Sequence, residues 1–492
     1  MNGPMPARWS RLVDLLLAVL AIACLALAAA RLAYNLSFLT PRQLATSSAE
    51  EEALFSIWSL AHGQAVYTDP LAIPYTASYF NWLFYAVDAA IGGGALRLLH
   101  LGDAWLPTLC RLVTLAGAAG GTACFFAALR AADRTIPRPT ALALAVIALF
   151  NPLCGLWLIT ARPDIGAVSF EIAGVACFFR YLSGARLRSI VLTALCLYAA
   201  WSFKQTALSA LGGIGLTLFV RRDWRAFIVL SGIWSAGVFL ALATLGPDYR
   251  YGLYFSQLHS GATLALGARN LLTAIVKMPF LALALISLPW MFGLSKKVKP
   301  SEGPLAALTW ILLVAVVLDF ATACKVGAAD YYFIPAAVWS LLLLALLAPR
   351  FSSAWRDVAL ATVGALMLLG IAAVFFGGRG TLDCRQPARP FEHLAAYLAQ
   401  RPGPVFVQST YGDLPWISPT APHFVVAYMY RVDRNAGMPF ERGGWENLLA
   451  EGYFSTVVTT ADTGGGETIP PDLLTRYRFV RAEAGFDYFE RK

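Results

Sequence analysis

Residues 45–63 read ATSSAEEEALFSIWSLAHG: the adjacent acids Glu50, Glu51 and Glu52 open a run whose apolar residues Leu54, Ile57, Trp58 and Ala61 share one helical face, and Gly63 stops it. The run lies in the first loop beyond an apolar segment at 12–33 that is long enough to cross a bilayer. A chain that only packs helices in lipid has no need of three adjacent acids there, so the cluster is the first candidate for chemistry. The competing reading is structural. Ser48 with Glu51 three residues later forms a capping box, and acids favour a helix N-terminus in any case. Neighbouring helix residues differ by about 100°. This predicts Glu50 on the apolar face with Leu54 and Ile57, and Glu51 turned aside with Phe55.

Composition agrees with a membrane location. The 492 residues are 58% hydrophobic and 14% charged, with a mean hydropathy of +0.61, which leaves too few polar residues to cover a soluble globule. The net charge of +9 arises from basic residues in short loops between apolar runs, where they orient helices; nucleic acid is not implied. Seven of the eight cysteines lie in apolar segments without metal-ligand spacing and Cys384 stands alone in the tail, so neither a disulfide framework nor a zinc site follows.

Stretches long enough to cross roughly 30 Å of hydrocarbon predict about 11 transmembrane helices: 12–33, 107–129, 139–158, 166–184, 189–202, 205–220, 226–246, 271–294, 304–324, 331–349 and 357–377. The short pair 189–202 and 205–220 reads as two tilted or broken helices around Lys204. The first span resembles a signal peptide in its flanks, but its long apolar run makes it an uncleaved anchor. With a cytoplasmic N-terminus every inside loop is basic: Arg130, Arg134 and Arg138; Arg180, Arg186 and Arg188; Arg221, Arg222 and Arg225; Lys296, Lys297 and Lys299; Arg350 and Arg356. A span at 78–97 would invert all later loops, so that run is expected to lie in the outer interface with Asn81, Asp88 and Arg97 as its polar positions, inside a first outer loop of about 35–106. Residues 1–377 thus form an all-α polytopic membrane domain. Residues 378–492 are polar, alternate β-like runs (PVFVQST, HFVVAYM, FSTVVTT) with helical ones (FEHLAAYLAQ, WENLLAEG), and read as a small α/β domain on the outer side. No internal repeat is visible, which weighs against a transporter, and the TGGGE stretch lacks the Lys-Ser/Thr of a phosphate loop.

Further candidates lie along the outer edge. Arg162-Pro163-Asp164 offers a guanidinium and a carboxylate suited to a phosphate or a metal ion, against a plain helix start capped by Asp164. Lys204 sits where the positive-inside preference disfavours it, with snorkelling as the alternative. His259 suits a phosphate or a metal, or serves as a polar interface residue. Lys325 begins another outer edge with Asp330, Tyr331 and Tyr332, whose rings an aromatic belt also explains. Arg111, Glu171, Lys277 and Asp319 fall within spans near their outer ends and are expected to pair with one another or line an outward cavity.

The order of these features resembles the GT-C glycosyltransferases: one span, an outer loop opening on acids and continuing GQAVYTDP, an interfacial helix, two spans, RPD, a KQT element, VGAADYYFIP and an outer tail. The bacterial branch related to protein O-mannosyltransferases and aminoarabinose transferases is the most similar. The resemblance implies a multi-pass enzyme of the bacterial inner membrane, with a periplasmic C-terminus and a polyprenyl-phosphate sugar donor. It implies a catalytic acid at Glu50 or Glu51 and a second acidic position at Asp164. This chain has Glu-Glu-Glu where the family has Asp-Glu. Asp164 would position a lysine, an arginine or a divalent ion (Mg or Mn), which some relatives bind and others do not need. Arg162, Lys204, Lys325 and His259 would face the leaving phosphate, and Tyr331 and Tyr332 the sugar or the cell-envelope acceptor. A base opposite a cationic cluster suits inverting displacement at an anomeric carbon. A lipid-linked sugar flippase would place charges through the membrane depth, and a non-catalytic envelope scaffold would leave the acids as caps; both stay open.

Overall fold

The computed structural model describes residues 11–36, 49–184, 186–294, 303–350, 353–376, 391–401, 403–408, 414–425, 428–460, 469 and 471–492; Ser48 of the expected capping box, Cys384 and the TGGGE stretch lie outside them. Among the described residues, seven helices are long and apolar enough to cross a membrane: α1 (Arg11–Leu36), α5 (Leu106–Ala132), α7 (Asp164–Leu182), α10 (Trp224–Thr244), α15 (Pro304–Ala323), α16 (Ile334–Leu347) with its flanking turns, and α17 (Ser353–Phe376). Three shorter apolar helices, α6 (Arg138–Phe150), α8 (Arg188–Phe203) and α9 (Ser209–Val220), fall at the predicted spans 139–158, 189–202 and 205–220; α6 stops at Phe150, short of the predicted end. The chain is a multi-pass, mostly helical membrane protein with a small C-terminal sheet.

The predicted span at 271–294 is instead a bent pair, α13 (Leu264–Lys277) and α14 (Phe280–Leu294), turned by 112° at Met278-Pro279. Proline lacks an N–H and drives the residue before it out of the helical region; Met278 sits at φ −138°, ψ 77°. At the bundle centre α16 is buried on nearly every side, so its leading turn Asp330–Phe333 is held firmly where the site begins. Close approach of α9 to α15 depends on Gly213, where a Cβ would lie 2.3 Å from the Ile311 Cα.

The sequence predicts that the four in-span charges pair with one another or line an outward cavity; in the structure they do not pair with one another. Each meets a helix end or a loop. Glu171 accepts from the Ala210 amide and the Ser209 hydroxyl, both at 2.9 Å, satisfying the start of α9 inside the membrane. Asp319 accepts from the Ala336 amide at 3.0 Å in the first turn of α16. Lys277 pairs with Asp330 at 2.6 Å, and Arg111 pairs with Glu50.

The first outer loop carries α2 (Ala49–Ala61), α3 (Trp82–Asp88), a π-turn and α4 (Gly94–Leu98), none of them a span. Two of the expected interfacial polar positions face inward. Asn81 is fully buried, donating to the Trp201 carbonyl at 2.7 Å and accepting from the Tyr249 hydroxyl at 2.6 Å. Asp88 is also buried, and burial pushes its carboxyl up to about 8. Only Arg97 keeps an exposed contact, to the Ala61 carbonyl.

After α11 (Gly246–Arg250) and α12 (Ser256–Leu258), the outer side is completed by the tail. Its helices α18 (Phe391–Leu398), α19 (Tyr428–Asn435) and α20 (Trp445–Glu451) accompany a four-stranded sheet of order β1-β2-β4-β3. The strands are β1 (Val405–Gln408), β2 (Thr456–Thr460), β3 (Tyr477–Glu483) and β4 (Phe486–Arg491). β1 and β2 match PVFVQST and FSTVVTT and pair in parallel; β4 runs antiparallel to β2 and β3. HFVVAYM forms no strand among the described residues; its Tyr428 and Met429 begin α19. The β3–β4 hairpin, which none of the β-like runs predicts, turns at Ala484-Gly485, both with the positive φ of a tight two-residue hairpin turn.

Candidate active site

The three acids of α2 have separate fates. Glu50 is fully buried; Arg111 of α5 donates to it through Nε and Nη2, each at 3.2 Å, and the Ala161 amide donates at 2.9 Å. It locks the start of α2 to α5 and to the loop carrying Arg162. Glu51 is buried beside it. Glu52 is 2% exposed, and among the described residues neither of its oxygens has a hydrogen-bond partner. Burial and the charge of Glu51 hold its carboxyl well above the usual range, against the attraction of Arg162 and Arg431. The expected division of α2 into an apolar stripe and a side face is absent. Residues 50–54 are all buried, because α5, the RPD loop and the tail enclose the helix start.

Opposite stands a cationic cluster framed by aromatic rings. Asp164, the first residue of α7, binds the Lys204 ammonium at 2.5 Å and faces the Arg162 Nε at 3.3 Å, the latter contact ionic and poorly aligned for a hydrogen bond. Arg162 also donates to the Tyr331 hydroxyl at 3.0 Å and lies 4.7 Å from the Trp157 ring and 5.5 Å from the Phe80 ring. Lys204 sits 4.5 Å from the Tyr332 ring. It ends α8 in extended backbone, φ −144° and ψ 120°, which turns the ammonium toward α7. Asp164 therefore positions two cations rather than serving as an open ligand.

Lys325 joins the cluster at one remove. It donates to the Gln257 side chain, and burial together with the Lys204 charge pulls its ammonium down to about 8. His259 does not face the cluster: its Nδ1 meets Asp433 of α19 at 2.7 Å, and Ser256 donates to the same carboxylate. That contact docks the tail on the outer loop, next to Arg431, whose charge reaches Glu52. A divalent ion at Asp164 would need more ligands than are gathered there, since among the described residues no group of three or more His, Cys, Asp or Glu side chains forms a metal-binding set.

An apolar groove opens from the cluster along α5 and α7. It encloses about 600 Å³. Phe84, Ile91, Leu112, Val113 and Phe170 line it, with Arg162 and Asp88 among its few polar walls.

The helical order, the enclosed outer loop and the site at one edge of the bundle define a polytopic membrane protein, and solved membrane-protein structures share its fold. ArnT from Cupriavidus metallidurans is similar over 94% of this chain and 97% of its own, with a TM-score of 0.60 in the apo state and 13% identity. Its structure bound to undecaprenyl phosphate gives 0.58 over the same shares at 13% identity. The Archaeoglobus fulgidus oligosaccharyltransferase, crystallised with Zn and sulfate, is similar over 94% of this chain and 73% of its own, with a TM-score of 0.53 and 12% identity. No family model matches the sequence, and no curated protein sequence matches it.

Proposed function

We propose that the chain is an inverting glycosyltransferase of a bacterial inner membrane, moving a sugar from a polyprenyl-phosphate donor to a cell-envelope acceptor on the outer face. The observation that carries this reading is Glu52, a buried carboxyl without a hydrogen-bond partner among the described residues, within the field of Arg162, which itself lines a lipid-sized groove. The structure of ArnT with undecaprenyl phosphate and that of the archaeal oligosaccharyltransferase AglB with a dolichol-phosphate support the class of donor.

In this reading the groove takes the first part of the isoprenoid tail, and Arg162 and Lys204 receive the phosphate. The acceptor hydroxyl attacks the anomeric carbon and gives its proton to Glu52, while the bond from that carbon to the phosphate oxygen breaks on the opposite face. The charge growing on the phosphate is met by two cations already fixed by Asp164, so little reorganisation is needed at the transition state. Tyr331 and Tyr332 flank the sugar. Glu50 and Glu51 shape the pocket instead of taking the proton. A positioned base contributes about 10²–10⁴-fold. The test is transfer of labelled sugar from a panel of polyprenyl-phosphate donors to envelope acceptors by purified protein in lipid. Turnover that is lost in Glu52→Gln supports the assignment. Turnover unchanged in that variant removes it.

A further inference from the structure

A second groove lies far from this site. It encloses about 630 Å³ between α14, α16 and α17, with Leu283, Ile286 and Leu344 on its walls and Arg350, Trp355 and Arg356 around one end. Tyr331 of the candidate site and Arg350 lie at opposite ends of the α16 segment, so at about 1.5 Å per residue the two sites are separated by most of a bilayer. The groove faces lipid: Ile286 is 75% exposed and Trp355 77% exposed. Arg350 is exposed and, among the described residues, makes no ion pair. Arg356 is buried at the same end with its Nε held by Asp357 at 2.8 Å.

We infer that this groove binds an anionic glycerophospholipid of the inner leaflet, its acyl chain against Leu283, Ile286 and Leu344 and its phosphate on Arg350. Three features on one wall match that ligand. The slot is apolar over the depth an acyl chain occupies. A guanidinium that pairs with no acid among the described residues stands at the headgroup level, where it can form two parallel bonds to phosphate oxygens. An exposed tryptophan lies beside it, the residue that favours the membrane–water boundary. Arg356, already partnered by Asp357, fixes the wall and adds little net charge. The occupant is a resident lipid of the bilayer and not the sugar carrier, because the groove ends at the opposite membrane face from Glu52, Arg162 and Lys204.

The inference is tested by native mass spectrometry of the full chain in mild detergent, titrated with phosphatidylglycerol or with phosphatidylcholine of the same acyl chains. Phosphatidylglycerol should be retained about fivefold better, the equivalent of the roughly 1 kcal/mol that one basic residue contributes at an anionic surface. Arg350→Gln should erase that preference, and Ile286→Trp, which fills the slot from a lipid-facing position, should reduce retention of both lipids. Equal retention of the two lipids by the unmodified chain, or an unchanged preference in Arg350→Gln, overturns the inference. So does displacement of phosphatidylglycerol by equimolar undecaprenyl phosphate with loss of the effect of Arg350→Gln, which would make the groove a carrier site. Lipid retention is read without turnover, so the outcome stands apart from that of the transfer assay.

Discussion

Arg111 reaches both oxygens of Glu50 in a buried, two-point ion pair 61 residues apart in sequence, and the Ala161 amide donates to the same carboxylate. Removing one partner of a buried pair leaves an uncompensated charge and costs about 3–5 kcal/mol. Arg111→Ala and Glu50→Ala should therefore lower the thermal unfolding midpoint of the detergent-solubilised protein. The double variant should recover part of that loss. A midpoint unchanged in both single variants would mean that the pair does not hold α2 in place.

Glu52 makes the opposite demand. A carboxyl whose folded pKa is raised above its unfolded value of about 4.3 costs stability as pH rises past that value, because the folded state resists losing the proton. Glu52→Gln removes this cost. Its unfolding midpoint at neutral pH should equal or exceed that of the parent chain, while the transfer rate falls by about 100-fold or more. A loss of both stability and rate would indicate a structural acid instead.

The division of labour among these acids was not legible in sequence. Periodicity places Glu50 with Leu54 and Ile57, but a face has meaning only when one side of the helix meets solvent or lipid, and the start of α2 meets neither. The partner that occupies Glu50 comes from a helix 61 residues away and a loop 111 residues away, contacts that no local pattern encodes. The membrane architecture was legible because hydrocarbon thickness sets a length that sequence reports directly. The break around Lys204 was legible for the same reason, as two apolar runs each too short to span alone. The partner of His259 was not legible, since Asp433 lies 174 residues downstream in the tail.

The rate should depend on pH on both sides. Glu52 takes a proton only as the carboxylate, so turnover should fall as pH decreases through its raised pKa, at a pH above the usual glutamate range. Lys325 is cationic only below about 8, so donor affinity should weaken as pH rises through that value. Lys325→Arg keeps the charge at high pH and should flatten the alkaline limb while leaving the acidic one. A profile whose alkaline limb persists in Lys325→Arg would assign that limb to another group.

Asp164 holds Lys204 and Arg162 in one arrangement, and its loss should be felt through them. Asp164→Asn removes the charge that both cations share, so they repel each other and the Lys204 ammonium is freed from its 2.5 Å contact. The expected result is a donor KM raised by about tenfold or more together with a reduced kcat, since the phosphate is bound in the ground state and stabilised further as its charge grows. Lys204→Ala should raise KM with a smaller effect on kcat. Unchanged donor kinetics in both variants would detach the cluster from the phosphate.

Orientation follows from the basic loops and is open to a direct check. A reporter fused after Lys492 should be active only on the outer side, and one inserted at about residue 135 only on the inside. Cysteine labelling refines this for the 78–97 run. Position 88 is buried and should resist a membrane-impermeant reagent, whereas Leu98, 80% exposed, should be labelled from outside once changed to cysteine. The hydrogen bond from Thr140 to Asp14 at 2.6 Å ties the start of α1 to the start of α6, so both helices must begin on one face. An inside location for position 98 would invert that face together with every later loop, and would carry the candidate site to the cytoplasmic side.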